Sequence, residues 1–189
     1  MTKIPVEVSA RHIHLSKKDL EALFGKNYEL KKMKALYQSG DFAAEECIEI
    51  AGKSERELSL RVIGPVRGKT QVELSKTDTI FLGITAPLRN SGDINGTPGA
   101  ILTGPEGKIK IKTGVINTWR HIHCSPSEAK KLNLKHGQMI SVKIGGPSAV
   151  TLHNAAVRVG ANYKLCLHLD TDEGNAAGIT RNGEGKIIT

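Results

Sequence analysis

Apolar and polar residues alternate in short runs along most of the chain, and glycine, asparagine and proline separate the runs. Pro5 to Ser9, Glu46 to Ile50, Leu58 to Ile63, Gln71 to Leu74 and Thr79 to Ile84 have this character in the first half. Lys108 to Ile116, Met139 to Ile144, Val150 to Val159 and Tyr163 to Asp170 have it in the second. Alternation sends successive side chains to opposite faces, so each run is expected as a strand with one buried face. Many short strands at this spacing argue for small barrels or sandwiches. Helical signals are few and brief. Ser16 caps a run that closes at Gly25, and Ser125 caps a second run that begins with Pro126. Asn27 to Ala44 is lysine-rich and weakly patterned, and it is expected as an inserted loop or helix. No low-complexity tract divides the chain. The expectation is all-β with a few short helices, arranged as two closely packed small β-barrels.

One tetrapeptide occurs twice: Arg11-His12-Ile13-His14 and Arg120-His121-Ile122-His123. The flanks match as well, Ser16 with Ser125, Asp19 with Glu128 and Leu23 with Leu132. In extended chain both imidazoles of a His-x-His leave the same face, and two converging imidazoles form half of a metal site. A duplicated unit is therefore expected in which each half brings ligands. Glu73 can complete a site with His12 and His14, although by itself it reads more simply as an exposed strand carboxylate. His168 is the natural third ligand for His121 and His123, with Cys166 as a rival two residues earlier. The acidic run after His168 lacks the ligand spacing of a calcium loop. His136 and His153 are expected to be surface or structural residues.

Composition narrows the partners. Of 189 residues, 27 are basic and 19 acidic, a net charge of +8. That favours anions. The basic residues are spread out, with Lys31-Lys32 and Lys130-Lys131 the densest pairs, and only 4% of residues are aromatic. A single-strand nucleic-acid surface wants basic and aromatic residues interleaved, so a small polyanion is the better expectation. Arg67 lies in the turn Gly64-Pro-Val-Arg67-Gly68, where an exposed guanidinium can grip a phosphate. The polar turn Leu88 to Gly99 reads equally as an anion-binding loop or as plain surface. The longest apolar run, Ile80 to Ile84, is far short of the ~20 residues of a membrane helix. Three scattered cysteines point to a reducing, cytoplasmic setting.

Five separated motifs together resemble one family. Ser9-Ala-Arg-His-Ile-His-Leu-Ser, Gly64-Pro-Val-Arg67, Gln71-Val-Glu73-Leu-Ser, Arg120-His-Ile-His-Cys-Ser-Pro and His168-Leu-Asp-Thr-Asp-Glu-Gly-Asn-Ala occur in the order found in propanediol-utilisation phosphotransacylases, or phosphate propanoyltransferases. The resemblance spans essentially the whole chain. It implies reversible acyl transfer, acetyl or propanoyl, between coenzyme A and inorganic phosphate at two zinc ions per chain. It implies one barrel from residues 1–10 with 119–189, and another from 11–118 carrying an insert near 25–45. By motif position, His12, His14 and Glu73 would hold one zinc, and His121, His123 and His168 the other. Arg67 would hold phosphate. Ser9, Arg61 and Asn175 are expected to touch coenzyme A. The resemblance favours a homodimer, and from composition neither a nucleic-acid nor a membrane partner is expected. The first histidine motif begins at residue 9, leaving no room for the targeting extension of microcompartment members, so a free cytoplasmic version is expected. Two other readings use the same ligands: a dinuclear zinc hydrolase of thioesters or phosphoesters, and a zinc-stabilised barrel that binds nucleic acid.

Overall fold

The computed structural model describes residues 2–188. The first half runs β1 (Lys3–Val8), β2 (His12–His14), α1 (Lys17–Phe24), β3 (Lys32–Ala35), β4 (Phe42–Ala51) and β5 (Glu57–Gly64). It continues with β6 (Gln71–Leu74), α2 (Lys76–Phe81), β7 (Leu88–Arg89), β8 (Ala100–Thr103), β9 (Lys108–Ile111) and β10 (Val115–Thr118). The second half runs β11 (His121–Cys124), α3 (Pro126–Leu132), β12 (Met139–Ile144), β13 (Val150–Val159), β14 (Cys166–Leu169), α4 (Thr171–Ala176) and β15 (Asn182–Ile188). These elements form two compact units. Unit 1 comprises residues 1–10 and 119–189, and unit 2 residues 11–118.

Unit 1 is a closed barrel in the order β1-β14-β11-β13-β12-β15. Its interior is aliphatic, with Ile4, Val6, Ile122, Val142, Val157, Leu167 and Ile187 in one buried cluster. The alternation in β1 and β12 points these residues inward and leaves Lys3, Pro5 and Lys143 outside. Unit 2 is a nine-stranded sheet in the order β7-β10-β6-β2-β5-β4-β8-β9, with β3 added on β4. It is a half-barrel that curves around Ile13, Leu20, Ile48, Leu60, Val72 and Leu102 rather than a closed ring. Gly64, where β5 ends, admits no side chain, because the Phe42 ring packs against its α-carbon. Among the described residues, no helix is long and apolar enough to cross a membrane.

Several elements differ from the sequence reading. Thr79 to Ile84 is not a strand; its first residues belong to α2. The Ser75 hydroxyl accepts from the Asp78 N–H while the Asp78 carboxylate accepts from the Ser75 N–H. That reciprocal cap outweighs the β-favouring Thr-Ile-Phe composition. Lys108 to Ile116 is two strands, split at Gly114, which has a φ of 124° that other residues avoid. The segment after Asn27 carries β3, an edge strand with every residue exposed, so it has no buried face to create a pattern. The acidic run after His168 is α4, capped by Asp170 and Glu173 in the same reciprocal way.

Candidate functional site

In unit 2, β2 lies between β6, antiparallel to it, and β5, parallel to it. The register sets His12 opposite Glu73 and His14 opposite Gln71, so two imidazoles, a carboxylate and an amide share one face. Glu73 is buried, not the exposed carboxylate that an isolated strand would suggest. Its Oε2 lies 3.6 Å from His12 Nε2, and its Oε1 lies 3.9 Å from His14 Nε2. Ligand atoms on a tetrahedral ion at ordinary zinc distances are about 3.4 Å apart, so the donors stand close to the spacing a zinc requires. His14 Nδ1 lies 3.1 Å from the Ile63 carbonyl, which fixes the proton there and leaves the Nε2 lone pair for a metal.

The electrostatics agree with that role. Burial, reinforced by the neighbouring His12 and Arg67 charges, pulls the His14 pKa down to about 3, so the ring is neutral as a ligand must be. Burial alone would raise Glu73. The adjacent His12 and His14, together with hydroxyl donors, outweigh it and hold the carboxyl below the usual carboxylate range. Thr118 donates to Glu73 Oε2 at 2.7 Å, and Gln71 Nε2 donates to Oε1 at 2.6 Å. The Gly92 N–H donates to Gln71 Oε1, which fixes the amide orientation.

Arg67 is half-buried beside this triplet. Its N–H donates to the Leu15 carbonyl, and its Nη1 lies 3.4 Å from Ser91 Oγ. Gln71 Nε2 also donates to Ser91 Oγ, at 2.9 Å. Ser91 belongs to the polar loop after Leu88, whose reading as site or surface the sequence left open. Gln71 was visible only as a neighbour of Glu73 at period two, and nothing local marked Ser91 or Thr118.

Unit 1 repeats the arrangement. β11 lies between β14, antiparallel, and β13, parallel, and His121 stands opposite His168. The rings of His121, His123 and His168 lie with centroids 4.6 to 5.1 Å apart. One nitrogen from each falls within 4.8 Å of the others, as do the donors of His12, His14 and Glu73. His121 Nδ1 lies 2.8 Å from the Trp119 carbonyl, again leaving Nε2 for a metal. Cys166 stands opposite His123 and groups with Glu7 and His168 in an overlapping donor set. Burial pushes its thiol up to about 12. Both triplets suit zinc in residue type, and in each the three donor atoms converge within 4.8 Å.

The correspondence continues beyond the ligands. Arg11 Nε donates to Asp78 at 2.9 Å, and Arg120 Nε donates to Glu173 at 2.6 Å. Each arginine precedes a His-x-His, and each acid caps the helix that follows the strand carrying the third residue of the triplet. Each pair therefore ties the two triplet-bearing strands of its own unit together. The residues expected to touch coenzyme A are placed less tellingly. Ser9 is exposed after β1, and its N–H donates to the Leu169 carbonyl; Asn175 is exposed on α4. Arg61, on β5 of unit 2, donates to the Ala44 and Glu45 carbonyls. His153 and His136 are exposed; the former bonds Ser141 and the latter accepts from the Val159 N–H. A cavity of about 700 Å³ beside Ile144, Ser148, Thr180 and Arg181 contains none of the candidate site residues.

Comparison with known proteins gives these triplets a context. The family model for phosphate propanoyltransferase matches residues 5–180. The chain belongs to the phosphate propanoyltransferase family. It is thus an acyltransferase. A phosphate propanoyltransferase of Lachnoclostridium phytofermentans is 44% identical over 98% of this chain and 86% of its own length. One from Salmonella typhimurium is 46% identical over 93% of this chain and 83% of its own. One from Planctopirus limnophila is 45% identical over 97% and 76%. All six triplet residues, Arg67 and Asn175 fall inside the span that the family model matches.

Proposed function

We propose that this chain transfers a small acyl group, acetyl or propanoyl, between coenzyme A and inorganic phosphate, with one zinc in each unit. The observation that carries the reading is the triplet His12, His14 and Glu73 with the Arg67 guanidinium beside it, in a chain of this family. When bound, zinc supplies Lewis-acid polarisation and neutralises phosphate charge. His12, His14 and Glu73 would hold one ion, and His121, His123 and His168 the other. Three protein donors leave a coordination position open to a substrate.

The chain's own groups account for the rest. Arg67 presents a planar fork that grips phosphate through two hydrogen bonds. Ser91, held by Gln71, adds a hydroxyl beside it. Fixing phosphate in this way lowers the entropic and charge cost of bringing one of its oxygens to a thioester carbon. Coenzyme A then leaves as thiolate, and no protein nucleophile is needed. Cys124 lies in the aliphatic core of unit 1, and Cys166 is buried with its thiol proton retained.

The test is incubation of acetyl-CoA and propanoyl-CoA with the purified chain, with and without phosphate, and metal content measured on the same sample. Acyl phosphate formed only when phosphate is present is the expected result. Release of coenzyme A at the same rate without phosphate would replace this reading with a hydrolase.

A further inference from the structure

The two triplets place their negative charge differently. In unit 2 the carboxylate of Glu73 is itself one of the three donors. In unit 1 the three donors are imidazoles, and three neutral rings leave the charge of a divalent ion uncompensated in a buried position. The carboxylate beside that triplet belongs to Glu7. Glu7 is the register partner of His168 in the parallel pair of β1 with β14, and its Oε2 lies 3.5 Å from His168 Nδ1. Aligning Arg11 with Arg120 matches Glu7 to Ile116, which is the register partner of Glu73. Where the third ligand is a carboxylate, the neighbouring strand brings an apolar residue. Where the third ligand is a histidine, it brings a carboxylate.

The Nδ1 atoms of two of the other rings sharpen the comparison. Those of His14 and His121 face main-chain carbonyls, which orient a ring without adding charge. The Nδ1 of His168 faces a carboxylate at 3.5 Å, and a carboxylate that accepts from Nδ1 orients a ring and also makes its other nitrogen a stronger donor.

We infer that Glu7 is a positioning residue for the metal centre of unit 1. Its carboxylate accepts the His168 Nδ1–H and presents Nε2 to the ion held with His121 and His123. It thereby supplies from outside the triplet the negative charge that Glu73 supplies from within. The inference rests on the metal reading given under Proposed function. The rival arrangement uses Glu7, Cys166 and His168 together as donors, whose atoms also lie within 4.8 Å of one another. It requires the Cys166 thiol, which donates to the Leu167 carbonyl, to turn and lose its proton.

The experiment strips the full chain of metal and titrates it with Co²⁺ against a chromogenic chelator, comparing the wild type with Glu7→Gln and Glu7→Ala. The wild type should take up two ions, with no thiolate-to-cobalt charge-transfer band. Glu7→Ala should weaken one of the two by roughly ten- to a hundredfold and leave the other unchanged. Glu7→Gln keeps an acceptor of the same shape without the charge, so it should fold as the wild type does and lose less affinity. Two unchanged affinities in both variants would overturn the role of Glu7. A charge-transfer band that disappears in Cys166→Ala would also overturn it, in favour of the cysteine-containing donor set. A wild-type chain that takes up no cobalt would bring down the metal reading itself.

Discussion

Arg67, proposed above to hold phosphate, illustrates why residue type matters more than charge in such a role. Lysine keeps the positive charge but not the planar pair of donors, so Arg67→Lys is not conservative here. A charge-assisted hydrogen bond contributes about 1.5–3 kcal/mol. Losing one should lower kcat/KM for phosphate by roughly ten- to a hundredfold. Steady-state kinetics with phosphate and acyl-CoA varied separately check this. An unchanged phosphate dependence with weakened acyl-CoA binding would assign Arg67 to coenzyme A instead. The cysteines make the complementary case. Burial raises the pKa of both Cys124 and Cys166, and the main-chain carbonyl of Arg158 lies 3.9 Å from the Cys124 sulfur. A thiol that keeps its proton is a poor nucleophile. Cys124→Ser with Cys166→Ala should retain turnover within roughly tenfold, because direct phosphate attack needs no acyl-enzyme. Mass spectrometry that traps an acylated cysteine in the wild type would refute direct transfer.

At the scale of elements, all four helices among the described residues begin with a side-chain cap: Ser16, Ser75, Ser125 and Asp170. The first two follow the triplet-bearing strands of unit 2, and the last two those of unit 1. In α3, Glu128 accepts from the Ser125 N–H at 2.8 Å and from the Leu165 N–H at 3.3 Å, tying the helix to the chain ahead of β14. Burial alone would raise the Glu128 carboxyl, but these donors and the Ser125 hydroxyl outweigh it and hold its pKa below the ordinary 4.5. A depressed folded value means the contribution is fully present above that pH and is lost as pH falls through the folded value. Glu128→Ala should therefore cost about 0.5–1.5 kcal/mol at neutral pH, the net worth of a typical hydrogen bond. The gap between the two urea-unfolding curves should narrow below pH 4.5. A gap that stays constant with pH would remove the charge from the explanation.

The chain as a whole is a duplication whose halves exchange their first strands. β1 precedes β2 in the chain but lies in unit 1, closing the barrel between β14 and β15. β10 precedes β11 but lies in unit 2, on β6. Each unit thus has its own aliphatic core built from distant parts of the chain, and neither core contains a candidate ligand. Stability and chemistry are separable on that arrangement. Chelation should abolish acyl transfer while the far-ultraviolet circular dichroism at 25 °C stays that of a folded β protein. The melting temperature should fall only by the linkage owed to lost metal. Unfolding on chelation would make the zinc structural and revive the reading as a zinc-stabilised barrel.

Much of this was legible in the sequence, for local reasons. Period-two alternation marked Gln71–Leu74, Met139–Ile144 and Val150–Val159 with the bounds the structure gives them. Serine caps marked α1 and α3, because a cap involves residues three apart. The His-x-His pairs declared themselves because i and i+2 share a face in any strand. Thr79 to Ile84 misled because its composition favours a strand, although Ser75 and Asp78 carried the same cap signal already read at Ser16. The glycine-rich β15, Asn182–Ile188, carries no such local mark, since Gly183 and Gly185 interrupt the hydrophobic alternation. Cross-strand register was the part no local pattern contained. Which strand lies beside which is set by the packing of the whole sheet, so only the tertiary structure set Glu73 opposite His12, placed Ser91 between Gln71 and Arg67, and brought Glu7 from β1 to His168.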